Sequence, residues 1–391
     1  MVLTNKQEEG LKIAVARFRN NERYTVISGY AGSGKSTLVK FIVKALEVAE
    51  EEIVYACFTG KACEVLRRKG NKNVSTLHKL LYRHTPLPDG SFMRVPVESI
   101  DYRIVVVDEC SMCPIEMVEL LHGYGVYVIY LGDPFQLPPI DEKADNHLLD
   151  KPHIFLDEIH RQAQESEIIR LSMDIREQKP LTLFDGKDVK IIGKNDLVDG
   201  MLLWADQVLC AKNATRASLN RAMRELEGYD GDPKEGDKII CLRNYWETLD
   251  GNGDALINGT IGRLGKNYSQ LLSYPYFVHG GGKFTSLKAD FETETGSTFT
   301  SLNMDKKMIL SETKSLTPQV EYALAKNRKF KHIIPKEFAY GYAITCHKAQ
   351  GSQWPNVLVI EENFPFDKTE HARWLYTAIT RAENKCIIVK Q

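Results

Sequence analysis

Eight residues near the start of the chain, Gly29-Tyr30-Ala31-Gly32-Ser33-Gly34-Lys35-Ser36, have the spacing G-x-x-x-x-G-K-S. Glycines at these positions let backbone N–H groups curl around phosphate oxygens, and a following helix adds partial positive charge at its N-terminus. Lys35 would neutralise a γ-phosphate, and the Ser36 hydroxyl would ligate Mg²⁺. The expected ATP contacts are therefore Gly29, Gly32, Ser33, Gly34, Lys35, Ser36 and Thr37. Further on, the apolar run RIVVV ends in Asp108-Glu109. After such a loop, Asp108 would hold Mg²⁺ from its outer coordination sphere, and Glu109 would orient and deprotonate an attacking water. The run Gly132-Asp133-Pro134-Phe135-Gln136 closes the next apolar segment, where Gln136 would reach the γ-phosphate or the water. Phosphoryl transfer also needs positive charge from outside the loop. Arg161, in FLDEIHRQ, and Arg381, in LYTAITRAEN, are the candidates.

These groups need a scaffold that brings them to one edge. TVISG (25–29), EIVYACF (52–58), RIVVVDE (103–109) and VYVIYLGD (126–133) are near-continuous apolar runs, as in parallel strands buried on both faces. Amphipathic stretches at 36–49, 61–69 and 114–124 separate them, so an α/β doubly wound sheet is expected. Carboxyl ends of such strands share one crevice, where the phosphate site belongs. Residues 82–102 break the rhythm with three prolines and an Asp89-Gly90 turn, which predicts an inserted β-hairpin. From 155 to about 230 the pattern is helix, strand (206–211), helix. Residues 232–335 are rich in Gly, Thr and Tyr and show short strand signals at 237–244, 259–264, 274–280 and 283–293. They predict a small all-β, barrel-like insert. The α/β pattern returns through 337–351, 356–361 and 385–390.

The 391 residues suffice for two or three domains, and 43% hydrophobic with 26% charged residues is ordinary globular composition. Fifty-one Lys and Arg nearly balance 52 Asp and Glu, for a net charge of -1. That excludes a histone-like basic binder and an acidic tail, but not a local basic groove on a neutral chain. No apolar run approaches a membrane span, and MVLTNKQEEGLKIAV lacks the pattern of a secretory signal. Most of the eight cysteines sit in apolar runs, and Cys110 and Cys113 have CxxC spacing without a second pair. They read as structural thiols rather than a zinc site, and a reducing, cytoplasmic location is expected.

The motifs GYAGSGKST, CFTGKACEVL, STLHKLL, VVVDECSM, LGDPFQLPP, LDEIHRQ, VLCAKNATRASLN, YAITCHKAQGSQW and LYTAITRA occur in the order found in superfamily 1 helicases. The chain resembles superfamily 1B, in its RecD/Dda branch, and its compactness is similar to that of phage-encoded Dda-like helicases. The resemblance covers essentially the whole chain and is weakest at 82–102 and 265–335. It implies two RecA-like P-loop domains, at 1–154 and at 155–231 with 336–391. The first would carry a β-hairpin pin (82–102) and the second an SH3-like insert (232–335). ATP would lie between the domains, with Arg161 and Arg381 as arginine fingers. Gln7 would read adenine, and Gln350 and Gly351 would couple nucleotide to DNA.

The same resemblance implies a 5′-to-3′ motor on single-stranded DNA that serves replication, recombination or repair. Thr59, Lys61, Thr76 and His78 of the first domain, and Asn213, Thr345 and His347 of the second, resemble the strand contacts. Hydroxyls and amides suit phosphate oxygens because they position without reading bases. Phe92 and Met93 follow the hairpin turn, where an apolar tip would wedge a base pair open or pack onto a neighbouring domain. The implied partners are single-stranded and forked duplex DNA and a single-strand-binding or replication protein, with the chain acting as a monomer in the cytoplasm, a phage host's included. An ATP-driven nucleoprotein remodeller or annealing motor is the competing reading. RNA as a substrate stays open.

Overall fold

A computed structural model describes residues 3–86, 92–138, 146–159, 165–276, 281–326 and 334–390. By contacts the chain forms two compact units. One comprises 1–83, 96–215 and 344–391, and the other 84–95 with 216–343.

The larger unit holds two six-stranded sheets. In the first, the spatial order is Val74–Thr76, Ile53–Cys57, Ile104–Val107, Tyr127–Gly132, Tyr24–Gly29 and Ile154–Leu156. Every neighbouring pair is parallel. The continuous apolar runs follow from this arrangement, because successive side chains enter different cores. Val26, Val54, Val105, Val107 and Val128 pack on one face, while Ile27, Ile53, Ile104, Val106 and Ile129 pack on the other. The last strand, Ile154–Leu156, pairs with the one leading into the glycine loop, so this sheet runs past the expected boundary at 154.

The second sheet is ordered Ala343–Thr345, Gln207–Cys210, Trp354–Ile360, Ala382–Lys390, Val189–Gly193 and Phe184–Asp185. Its middle pairs are parallel and its Phe184–Asp185 edge antiparallel. The strand Val189–Gly193 is an addition to the sequence reading. It is short and bounded by glycines, too brief for its alternation to register.

The smaller unit carries a five-stranded sheet ordered Thr298–Asp305, Gly282–Thr293, Ile261–Tyr276, Lys238–Cys241 and Phe338–Tyr340. All its pairs are antiparallel. Two expectations are corrected here. The signals at 259–264 and 274–280 belong to one long strand, Ile261–Tyr276, held by pairing with Gly282–Thr293; residues 277–280 lie outside the described residues. The insert is also not all-β. Helix Lys306–Ser311 is capped by Asp305, and helix Pro318–Ala325 by Thr317 with proline in its first turn. The sheet ends with Phe338–Tyr340, beyond the expected end of the insert at 335.

The hairpin strands Tyr82–Pro86 and Phe92–Pro96 pair as predicted, while its Asp89-Gly90 tip lies outside the described residues. Within the smaller unit, the Arg94 guanidinium lies 5.3 Å from the centre of the Trp246 ring. Among the described residues, no helix is long and apolar enough to cross a membrane.

Candidate nucleotide site and strand path

Strand Tyr24–Gly29 runs into the glycine loop, and helix Lys35–Ala45 leaves it. Gly32 and Gly34 are left-handed, at φ 77° and 80°, which aims successive N–H groups inward. The helix has no side-chain cap, so its first N–H groups suit an anion. A Cβ on Gly29 would lie 2.7 Å from both the Leu156 carbonyl oxygen and Ser33 Oγ, so only glycine fits. Ser33 is buried, and its Oγ has no hydrogen-bond partner among the described residues. The Lys35 ammonium donates to the Gly29 and Tyr30 carbonyls at 2.6 and 3.1 Å. This cradle fits a polyphosphate.

Gln7 lies under the loop, buried, in the first turn of helix Asn5–Arg19. Its Oε1 accepts the Thr4 N–H at 3.1 Å, and its Nε2 donates to the carbonyls of Ser33 and Gly34 at 3.4 and 3.3 Å. The side chain thus closes a capping box with Thr4 and braces the loop.

Glu109 follows strand Ile104–Val107 in a left-handed conformation, at φ 52°, which costs of order 1 kcal/mol for a non-glycine residue. The Asp108 carboxylate supports the turn by accepting the Glu109 N–H at 2.9 Å. Desolvation, and then the adjacent Glu109 charge, push the Asp108 carboxyl above its ordinary range, while Lys35 among others pulls it back. A desolvated carboxylate of this kind suits a cation. Asn146 braces the segment that follows, donating to the Cys110 and Cys113 carbonyls at 2.7 Å each. All eight cysteines are buried and none is in a disulfide. Burial raises the thiols of Cys110 and Cys113, and those of Cys346 and Cys386 rise to about 12.

The second lobe reaches this site through helix Lys368–Ile379 and the residues just after it. Arg381, 2% exposed, donates to the Thr377 carbonyl at 3.0 Å, the Ser352 carbonyl at 3.4 Å and Thr380 Oγ1 at 3.3 Å. Its Nη1 stands 3.7 Å from Glu109 Oε1. Gln136, half-buried, follows Asp133, whose carbonyl accepts its N–H at 3.4 Å. Gln350 is buried and donates to the Leu137 carbonyl, and Thr377 Oγ1 accepts the Leu137 N–H at 2.9 Å. Arg161 lies outside the described residues.

Several expected strand contacts also meet where the lobes join. Thr59 caps helix Gly60–Arg68 by accepting the Ala62 N–H at 3.2 Å. Gly351, at φ 71°, lies against it: a Cβ there would come within 3.1 Å of Thr59 Oγ1 and 3.3 Å of Met112 Sδ. Gly351→Ala is expected to cost about 1–2 kcal/mol from the left-handed backbone and this crowding, read as a lower melting temperature. The Lys61 ammonium lies 4.4 Å from the centre of the buried Trp354 ring. Thr76 caps helix Leu77–Leu81 through the Lys79 N–H at 3.2 Å, and the buried His78 ring packs 5.2 Å from Phe58.

Thr345 is buried at the end of its strand. His347 is half-buried, and burial lowers its ring below the ordinary histidine range. Asn213 is exposed at the start of helix Asn213–Leu226. That start is held by buried Glu362, which accepts the Ala211 and Lys212 N–H groups at 2.7 and 2.9 Å and the Thr215 hydroxyl at 2.6 Å. Of the hairpin candidates, Met93 is half exposed and Phe92 lies in strand Phe92–Pro96.

Asp133, Tyr376, Asn146 and Glu362 were not singled out by sequence reasoning. Asp133 stood in the run that named Gln136, and the Thr4-x-x-Gln7 spacing would have shown the capping box. The other three act through residues distant in sequence.

A glycine cradle on a parallel sheet, two carboxylates at the end of a strand two places away in that sheet and an arginine arriving from a second lobe define a P-loop nucleotide hydrolase. The chain belongs to the AAA domain family, whose model matches residues 3–198, and residues 340–389 match the UvrD-like helicase C-terminal domain. The two matches and the order of its motifs place it with the superfamily 1B helicases of the RecD/Dda branch. It is 25% identical to the ATP-dependent RecD2 DNA helicase of Deinococcus radiodurans, over 93% of this chain and 46% of that one. It is 27% identical to the ATP-dependent DNA helicase dda of Enterobacteria phage T4, over 36% of this chain and 33% of that one. These alignments span less than half of either named helicase. Bacteroides Pif1 bound to single-stranded DNA has a similar fold, at a TM-score of 0.52 and 16% identity, over 100% of this chain and 92% of that one.

Proposed function

We propose that ATP hydrolysis between the two lobes drives this chain 5′ to 3′ along single-stranded DNA and opens duplex ahead of it, the chain acting as a monomer. The observation that carries this reading is Arg381 of the second lobe standing 3.7 Å from Glu109 of the first. Hydrolysis then depends on the lobes being together, and loss of the γ-phosphate weakens what holds them. The names of the two helicase relatives, and the strand bound to the Pif1 neighbour, supply the DNA.

Lys35 and the cradle from Gly29 to Thr37 hold the phosphates. Ser36 and Asp108 would hold Mg²⁺, which supplies charge neutralisation between the phosphates. Glu109 orients and deprotonates water, Gln136 senses the γ-phosphate, and Arg161 and Arg381 stabilise its developing charge. Gln7 serves the adenine side. The strand crosses Thr59, Lys61, Thr76 and His78, then Asn213, Thr345 and His347. The contact of Gly351 with Thr59 supports coupling of the two halves of this path. The hairpin with Phe92 and Met93 splits the duplex, and residues 232–335 form an SH3-like module. Forked duplex DNA is the substrate, and a single-strand-binding or replication protein a fitting partner.

Forked duplexes carrying only a 5′ or only a 3′ tail test this reading. ATP-dependent unwinding is expected with the 5′ tail alone. Unwinding from the 3′ tail would reverse the polarity, and none from either would remove the unwinding activity.

A further inference from the structure

Tyr376 is 1% exposed on helix Lys368–Ile379, five residues before Arg381. Its hydroxyl accepts the Ala31 N–H at 2.8 Å and donates to Asp133 Oδ2 at 2.6 Å. Ala31 is the third residue of the glycine loop, and Asp133 follows the strand beside it. The tyrosine ring packs edge-on against Phe135, with centroids 5.2 Å apart and planes at 84°. Asp133 is buried, and its second oxygen accepts the Phe135 N–H at 3.0 Å. One oxygen of the second lobe thus joins the loop backbone to a desolvated carboxylate of the first.

Both bonds break if the lobes part. The Asp133 carboxylate would then lose a charge-assisted donor, and the loop amide its acceptor. Unpartnered groups in a water-poor site are costly, so the bonds favour the joined arrangement. They also fix where the helix leading to Arg381 stands against the glycine loop.

We propose that Tyr376 is a positioning residue for ATP hydrolysis, its hydroxyl registering the glycine loop and Asp133 against the helix that delivers Arg381. This rests on the proposed motor reading. The neighbouring Thr377 provides an internal comparison, because its hydroxyl also links the lobes, through the Leu137 N–H, without touching the glycine loop.

The test measures steady-state ATP hydrolysis with Mg²⁺ and oligodeoxythymidine for the unmodified chain, Tyr376→Phe and Thr377→Val. The phenylalanine keeps the ring and removes only the hydroxyl. Tyr376→Phe is expected to lower kcat about tenfold or more, the scale of a lost bond to a charged group, with KM for ATP within about threefold. Thr377→Val is expected to stay within about threefold in kcat, as for loss of a neutral bond. A double-mutant cycle with Asp133→Asn guards against a folding defect: the two losses should not multiply, because both remove the same contact. A Tyr376→Phe kcat no lower than that of Thr377→Val, or losses that multiply, would overturn the inference. If the unmodified chain shows no oligonucleotide-stimulated hydrolysis, the motor reading fails and the positioning role with it.

Discussion

Arg381→Ala is expected to lower kcat for oligonucleotide-stimulated ATP hydrolysis by about a thousandfold or more, the range for loss of an arginine finger. The reason lies in how the side chain is held. Its guanidinium is almost completely buried, three protein oxygens take its N–H groups, and Glu109 faces it at 3.7 Å. A cation fixed in that way need not reorganise as negative charge grows on the transferring phosphoryl group. Arg381→Lys should recover little, because an ammonium cannot reproduce the planar fork that reaches the Ser352 and Thr377 carbonyls. Circular dichroism separates a local loss from misfolding. A folded Arg381→Ala chain with near-normal turnover would remove this residue from the reaction.

The second large effect concerns stability, within the smaller unit. Arg224 binds Asp237 through two bonds, Nε to Oδ1 at 2.8 Å and Nη2 to Oδ2 at 3.0 Å. Its other donors reach the carbonyls of Gly231 and Asp232 at 2.9 and 2.6 Å. Asp237 also accepts from the Tyr342 hydroxyl at 2.9 Å and the Lys234 N–H at 2.7 Å. Both members of the pair are buried. Arg224→Ala leaves a carboxylate in the interior without its cation, a change worth about 3–5 kcal/mol. Hydrogen exchange across strand Lys238–Cys241, which begins beside Asp237, should accelerate well before that of the parallel sheets. Unchanged protection there would show that water replaces the guanidinium at little cost.

The glycine loop of the candidate nucleotide site was legible because its demands are local. A backbone that wraps a phosphate needs glycines at fixed spacing, and Gly32 and Gly34 take the left-handed conformations that only glycine adopts freely. The first sheet was legible for a related reason: burial on both faces leaves unbroken apolar words such as IVVV. What could not be read depends on distance. Tyr376 and Asp133 are 243 residues apart and Glu362 and Ala211 151 apart, so no window of sequence contains either pair. Residues 232–335 were misread in two ways. Pairing with Gly282–Thr293 carries the chain from Ile261 to Tyr276 through residues that look like loop, and short capped helices interrupt what looked like continuous β structure. Gln7 shows the opposite case, a signal that was local and available, with the Thr4 spacing pointing to a helix start.

The burial of every cysteine has a practical consequence for following the lobes. Thiol-directed dyes attack the thiolate of an accessible cysteine, and shielded thiols offer little of it. A pair of cysteines added at exposed positions, one on each lobe, would therefore take up fluorophores against a quiet background. The distance between lobes then becomes a quantity that single molecules can report through a full turnover.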